Sequence, residues 1–463
     1  MSAFDAFHLP GFDAAGASWA TLEAEGRTFR YPMLSAVQMR ELAARLRANR
    51  ARHLARRPVA EVIDVIDQAG RMFARGGAMR AETVELLPAV TRMSVPMIEL
   101  ILDRMSADWQ GAALRRLVAL ELGSPNVLDR FVSQPDAGRS VRALGPELAL
   151  TVFAGNVPGV PVTALVRCLL VKAAVIGKSA ADDPVLAVLF ARALERVDPA
   201  LASCIALTYW PGGAAAPEEA ALAEADTVVV YGGADAIASI RRRAPARTRV
   251  LEHGPRMSLG FVAREALVQT GARALARSVA VAAATFDQHG CVSLHGAVVE
   301  RGGDVDPKTF AEIVFEELEA IGRDLPAGRL TAGEAAALQA ERGRAEFAHL
   351  AGGAIWASGR AGATVVYSEA PDLTPSCLDR FIRVGAVDRI EDVLPALDPL
   401  RGLLQTAGLA AEPPRNAVLA DFLAEAGFTR IAPFDAMPWP PAHWHHDGAA
   451  PLAELVRWVD LES

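Results

Sequence analysis

A chain of 463 residues is long enough for two or three domains, because a single core stops growing at about 250 to 300 residues. Its composition, 52% hydrophobic but only 6% aromatic, makes the apolar content mostly Ala, Val and Leu; that suits an α/β protein and excludes a disordered or fibrous one. The formal net charge of -8 excludes a general nucleic-acid binder, which carries a basic face and a positive balance, and points to a small-molecule partner.

From Ser35 to about Arg130 the apolar residues recur at helical spacing, as in "MRELAARLRANRARHLA" and "PVAEVIDVIDQAGRMFA", which predicts a helical N-terminal layer. "SQPDAGRS" breaks the pattern, and "VRALGPELALTVFAGNVPGV" reads as two short strands around Gly145-Pro146. Strand and helix then alternate four times, through "ELALTVFAG", "AAVIGKS", "CIALTYW" and "TVVVYGG". Repeated β-α predicts a parallel sheet covered on both faces, with a ligand crevice at the carboxyl ends of its strands and a dinucleotide as the first candidate ligand. A second α/β stretch starts at "TRVLEHGPRMSLGFV" and runs through "HGAVVE" to "RFIRVGAVD". The tail, "PPAHWHHDGAAPLAELVRWVDLES", reads as a helix and a strand-like run able to pair with another domain or subunit.

The expected organisation is therefore an N-terminal helical region at 1–135 packing on a Rossmann-like cofactor domain at 136–250, a second α/β domain at 251–432, and a C-terminal segment at 433–463. No window reaches the roughly 18 uninterrupted apolar residues of a membrane span, and the start lacks a basic stretch followed by an apolar core, so a cytoplasmic location is expected. Four scattered cysteines without a C-x-x-C fit neither a disulfide scaffold nor a zinc knuckle. Nearly every basic residue is arginine; lysine occurs only at Lys172, Lys178 and Lys308, so a chemical requirement is one reason for a lysine to persist.

"TFDQHGCVSLHGAVVE" places Cys291 between His289 and His295, beside Gly290. A glycine there opens the backbone to a ligand, which suits a nucleophile on a tight turn; a metal ligand and an inert buried cysteine are the other readings of the residues alone. His443, His445, His446 and Asp447 in "HWHHDG" read as a polar turn in preference to a metal site.

Several motifs in one order resolve this choice. "FAGNVPGVPVTALVRCLLVKAAVIGKSAADDP", "VVVYGGADAIASIRRRAP", "LEHGPRMSLGFV", "FDQHGCVSLHGAVVE" and "WHHDGAAPLAELVRWVDLE" together resemble the fatty acyl-CoA reductase family best known from bacterial bioluminescence, a branch of the aldehyde dehydrogenase superfamily. The resemblance runs from about Val141 to the C-terminus. It implies an aldehyde dehydrogenase-like α/β fold, a Rossmann-like cofactor domain plus a second α/β catalytic domain, and reduction of an acyl thioester to an aldehyde.

Residue by residue, Cys291 matches the family's nucleophile in its Asp-Gln-x-x-Cys-x-Ser pattern, here Asp287, Gln288, Cys291 and Ser293. Asn156 matches the asparagine whose amide, with the cysteine N–H, forms the oxyanion hole. Lys178, followed by Ser179, matches a lysine that reaches the adenosine ribose or its phosphate. Gly212, Gly213, Gly232 and Gly233 match turns that let the cofactor approach the backbone. Glu252 matches the general base of hydrolytic relatives and is expected here to move the thiol proton instead.

NAD-preferring relatives carry a glutamate where this chain has Ala181, so NADPH is the expected cofactor, with NADH accepted. No metal is expected. The acyl donor is acyl-CoA or an acyl carrier protein thioester, the expected assembly is a homo-oligomer using "LVRWVDLE", and an acyltransferase or ligase is a further partner the resemblance suggests. Two alternatives use the same chain differently, as a CoA-acylating or hydrolytic aldehyde dehydrogenase or as a non-catalytic subunit of an acyl-processing complex. His289-Gly290 and Leu294-His295 depart from the residues usual beside the cysteine, which leaves the acyl length open.

Overall fold

The computed structural model describes residues 3–13, 17–213, 215–349, 352–359 and 362–462. They form two compact units: the residues up to Thr91, Ile98–Gly254 and the segment from Pro441 make the first, and Arg92–Met97 with Pro255–Pro440 the second. The expected 1–135 and 136–250 regions thus share one unit, apart from Arg92–Met97, and the tail from Pro441 joins them.

The first unit is built on a five-stranded parallel sheet in the order Arg249–His253, Thr227–Tyr231, Leu148–Val152, Ala174–Lys178, Ile205–Thr208. Leu148–Val152, Ile205–Thr208 and Thr227–Tyr231 are buried at every position, which is why they read as unbroken apolar runs and not as alternating ones. The sheet grows outward from Leu148–Val152 in one direction and then resumes on its other side. The strand order therefore reverses between Leu148–Val152 and Thr227–Tyr231, where open α/β sheets bind ligands at the carboxyl ends. Asn156 follows one of these strands and Gly232-Gly233 the other.

One sheet correction concerns Arg249–His253, which the sequence assigns to the second α/β stretch. It pairs with Thr227–Tyr231 as the edge of the first sheet, and Gly254-Pro255 follows it with a residue that has no N–H for a ladder. On one sheet face, Leu148, Leu150, Ile176, Val228 and Val230 pack with Met39, Leu42 and Leu46 of the Ala36–His53 helix. That helix starts at a capping box in which Ser35 Oγ accepts from the Gln38 N–H and the Gln38 side chain accepts from the Ser35 N–H.

Ahead of it lies a hairpin that the helical reading passes over. Ser18–Ala24 and Arg27–Met33 pair in antiparallel fashion, joined by Glu25 at φ 51° and Gly26 at φ 70°, and Phe4–Asp5 adds in parallel. The tail departs from expectation in its helix and matches it in its strand. Its helix is a single 3-10 turn at Ala453–Leu455, and Arg457–Glu462 pairs antiparallel with Arg139–Leu144 of the same chain, in a three-stranded sheet completed by Val132–Gln134.

The second unit carries a seven-stranded sheet in the order Ala354–Ala357, Thr364–Ser368, Phe381–Val387, Leu294–Glu300, Met257–Val262, Leu404–Ala410, Arg430–Ala432, parallel except for Ala354–Ala357. Along Leu294–Glu300 the side chains alternate between two cores. Ala297 and Val299 join the Ala272–Ala284 and Pro307–Asp324 helices, while Val298 joins Leu419 and Leu423 of the Arg415–Ala426 helix. Small residues at Ala276, Ala280 and Ala283 let the Ala272–Ala284 helix bury close against its neighbours. Among the described residues, no helix is long and apolar enough to cross a membrane.

Candidate active site

The Ala272–Ala284 helix ends in a turn that L-residues avoid. Phe286, Asp287 and Gln288 have φ of 58°, 47° and 68°, in the left-handed region that costs about 1–2 kcal/mol per residue. A second left-handed run, Leu378 at 72°, Asp379 at 56° and Arg380 at 63°, grips the first. The Asp379 N–H donates to the Asp287 carbonyl at 3.0 Å, and Arg380 Nε donates to Asp287 Oδ1 at 2.8 Å. The Gly328 N–H takes the other Asp287 oxygen at 2.9 Å. Gln288 accepts from the Phe381 N–H at 2.8 Å and donates to the carbonyls of Leu294 and Phe381 at 2.8 and 2.9 Å. Strain is thus held by tertiary contacts, which is how an off-minimum backbone persists.

This clasp leads directly into Cys291. Ser258 Oγ donates to the Cys291 carbonyl at 2.8 Å and itself accepts from the Thr406 N–H at 3.1 Å, tying the cysteine backbone across two strands. The Ser293 N–H donates to the Gly290 carbonyl at 2.9 Å. Gly290 serves packing and not ligand access, because a Cβ there would lie 3.0 Å from both the Phe286 ring and Ser293 Oγ. Cys291 is half-buried. Burial pushes the thiols of Cys168 and Cys377 up to about 11 and that of Cys204 to about 12.

Arg430, which no sequence motif marks, begins the strand Arg430–Ala432 in register with Thr406. It donates to the Ala436 and Met437 carbonyls at 2.7 and 2.8 Å. Partial burial pushes its pKa down to about 10, and the field of Cys291 acts the other way. The histidines on either side are committed elsewhere. His289 Nε2 lies 3.0 Å from Asp379 Oδ1; burial lowers its pKa, but Asp379, Asp287 and Glu334 outweigh burial and raise it. His295 Nδ1 accepts from the Ser376 N–H at 3.2 Å, and burial, aided by Arg383, pushes it down to about 4.

In the first unit, Lys178 ends its strand in register with Thr208, whose Oγ1 is buried without a hydrogen-bond partner among the described residues. The Ser179 N–H donates to the Thr208 carbonyl at 2.9 Å, and Ser179 is buried. Although residue 181 is alanine, Glu218 of the Ala215–Glu224 helix folds over the strand end and accepts from Lys178 Nζ at 3.1 Å. A signal existed in the sequence, since Glu218 shares a helical face with the buried Ala221, Leu222 and Ala225. A Cβ added at Gly212, Gly213 or Gly233 would meet nothing within 4 Å, and Gly213 takes φ 80°. A cation, an orphaned hydroxyl and open glycine turns at the carboxyl ends of parallel strands fit a dinucleotide.

Asn156 lies exposed on the turn after Leu148–Val152, and its match to the oxyanion donor rests on the sequence. Glu252 is held in a two-point ion pair by Arg241, with Nε donating at 2.6 Å. Its neighbour His253 faces a different set of groups. Tyr231, His253, His446 and Trp444 stack in series at centroid distances of 4.4, 4.5 and 4.8 Å, and His253 Nδ1 lies 2.7 Å from Asp447 Oδ2. His253, His446 and Asp447 bring their ligand atoms within 4.8 Å of one another. The two imidazole planes are 23° apart, however, so their in-plane lone pairs run side by side and do not meet at one ion.

The whole fold is similar to solved aldehyde dehydrogenases. Aldehyde dehydrogenase 21 from Physcomitrella patens matches with a TM-score of 0.76 at 11% identity, covering 100% of this chain and 98% of its own. An NAD-dependent benzaldehyde dehydrogenase from Corynebacterium glutamicum matches with a TM-score of 0.71 at 17% identity, covering 99% of each chain. In sequence, the long-chain acyl-protein thioester reductase of Aliivibrio fischeri is 27% identical over 374 residues, covering 78% of this chain and 74% of its own length. Its counterpart in Vibrio harveyi is 26% identical over 369 residues, with the same coverage of 78% and 74%. The family model for acyl-CoA reductase (LuxC) matches residues 54–458. With nearly the whole chain matched, and with an aldehyde dehydrogenase-like α/β fold beneath it, the protein belongs to the acyl-CoA reductase (LuxC) family.

Proposed function

We propose that the protein reduces an acyl thioester to an aldehyde with NADPH, through an acyl group carried on Cys291. The observation that supports this best is the Cys291 loop: a half-buried thiol on a backbone clasped by two left-handed runs. The thiolate is the attacking form of a cysteine. The Cys291 sulfur forms a bond to the thioester carbonyl carbon as the bond to the carrier sulfur breaks, and the carrier leaves as a thiolate that takes up a proton.

By family likeness, the Asn156 amide and the Cys291 N–H donate to the oxygen that becomes negative in this step. Losing one such donor costs on the order of 10² to 10³ in rate. When bound, the reduced nicotinamide supplies the hydride for the acyl carbon. Cys291 then departs from that carbon and regains its proton as the aldehyde forms. Lys178, Ser179, Gly212, Gly213, Gly232 and Gly233 are assigned to the cofactor.

Glu252 bears on the rival hydrolytic reading. The two-point pair with Arg241 fixes the direction of the Glu252 carboxylate and leaves it further acceptor sites, so the preference for reduction over release of free acid rests on the family likeness. The Aliivibrio fischeri and Vibrio harveyi relatives are described as acting on acyl-protein thioesters, and such a thioester is proposed as a donor here alongside acyl-CoA. Incubation with a panel of acyl thioesters and NADPH should oxidise NADPH at ~340 nm, with the product identified as aldehyde. Without cofactor, mass spectrometry should find the acyl group on Cys291. An unmodified Cys291, or free acid as the product, overturns the proposal.

A further inference from the structure

Glu218 is only 3% exposed, and a carboxylate at that depth is tolerated only with partners. It has three. Trp210 Nε1 donates to Oε2 at 2.9 Å, Lys178 Nζ donates to the same oxygen at 3.1 Å, and Arg243 Nη2 donates to Oε1. Burial opposes ionisation of Glu218, but Arg243, Trp210 and Lys178 outweigh it and hold the carboxyl in its charged form. Arg243 is the last residue of the Ala234–Arg243 helix, and its side chain folds back along that helix, with Nε 3.3 Å from the Ser239 carbonyl.

One carboxylate therefore gathers two cations from separate elements, a strand end and a helix end. The group carries one surplus positive charge. Lys178 Nζ also lies 5.7 Å from the centre of the Trp210 ring. Gly212 and Gly213 leave open space just beyond Trp210, and Ala181 adds no carboxylate to the strand end.

We propose that Arg243 joins Lys178 in a subsite for the 2′-phosphate of NADPH, and that Glu218 is the internal counter-ion holding the two cations together before the phosphate arrives. The inference rests on the cofactor reading above and adds to it the residues that set the preference. A 2′-phosphate offers oxygens to both cations at once, whereas a free ribose hydroxyl leaves them paired to Glu218. Glu218 repels the phosphate, so its charge moderates the preference that the two cations create.

Calorimetry on the full chain with 2′,5′-ADP and 5′-AMP as probes tests this without turnover. The wild type should bind 2′,5′-ADP about tenfold or more tighter than 5′-AMP. Arg243→Ala should remove about tenfold of the 2′,5′-ADP affinity while 5′-AMP stays within about twofold, and Arg243→Lys should restore part of the loss. Glu218→Gln should raise the affinity for 2′,5′-ADP relative to 5′-AMP. Should that variant fail to fold, the two Arg243 variants decide alone, since Arg243 is partly exposed.

If Arg243→Ala weakens both probes equally or neither, while Lys178→Ala still weakens 2′,5′-ADP, the two-cation subsite is wrong and the cofactor reading stands. If the wild type binds neither probe, or Lys178→Ala changes neither affinity, the cofactor reading falls and the subsite with it.

Discussion

Lys178 and Cys291 each lie just past a buried element, one at the end of a strand and the other after a helix, yet they are held by different means. Around Lys178 the backbone is ordinary and side chains do the holding: a carboxylate, an indole N–H and a second cation from three other elements. Around Cys291 the backbone itself is bent out of its usual range, in three successive left-handed residues that the Asp287, Gln288 and Arg380 side chains pin to a matching three. A side-chain cluster can exchange one partner for a ligand of similar charge. A clasped backbone cannot shift by a fraction without releasing its strain, which suits an atom that must meet a reacting carbon at one distance.

Cys291→Ala should show the largest effect, a loss of reductase activity on the order of 10⁴-fold or more with the melting temperature little changed, checked by NADPH oxidation and thermal unfolding. Retained activity would move the chemistry off this loop altogether. Asp287→Ala should come next, and in the opposite pattern. It strands the buried Arg380 guanidinium and should cost about 3–5 kcal/mol of stability, read from denaturant midpoints. A loss under about 1 kcal/mol would mean that the clasp is decoration.

Lys178→Ala should raise KM for NADPH by about 10- to 100-fold with kcat nearly unchanged, because it removes binding shared by ground and transition states. A fall in kcat alone would break the contrast between the two regions. On the reading for reduction, Glu252→Gln should change kcat/KM by less than about tenfold and should not change the yield of free acid.

pH should act with opposite sign on the two sides of the cysteine. The raised pKa of His289 contributes stability that is present below the unfolded value near 6.5 and is lost as pH rises through the folded value. His295, at about 4 in the folded state, contributes in the other direction: its share is present above about 6.5 and is lost as pH falls toward 4. Unfolding midpoints across pH should show the alkaline slope vanish in Asp379→Asn and the acidic slope persist.

The sheets were legible because strands buried on both faces leave continuous apolar runs, and the loops after them could be placed without knowing the partners. Cys291 could not be assigned from its own neighbours; the order of motifs around it did that. Helical spacing carried a trace of the burial of Glu218, but spacing alone did not pair Glu218 with Lys178 or Arg241 with Glu252. The N-terminal hairpin was missed for a local reason. Its turn takes positive φ at both central positions but spends one of them on Glu25, where asparagine or aspartate would have announced it. Asp379 was passed over because a carboxylate before the wholly buried Phe381–Val387 strand looks like a loop charge until the facing turn is known.

The pairing of Arg457–Glu462 with Arg139–Leu144 sets an order of events during synthesis. The second unit, apart from Arg92–Met97, is contiguous from Pro255 to Pro440, so its sheet can assemble while the chain is still growing. The first unit cannot close its small sheet, or stack His446 on His253, until the ribosome has passed through all of the second. A chain ending at Pro440 and released from the ribosome should therefore show a protease-resistant second unit and a first unit that is still open at its edge.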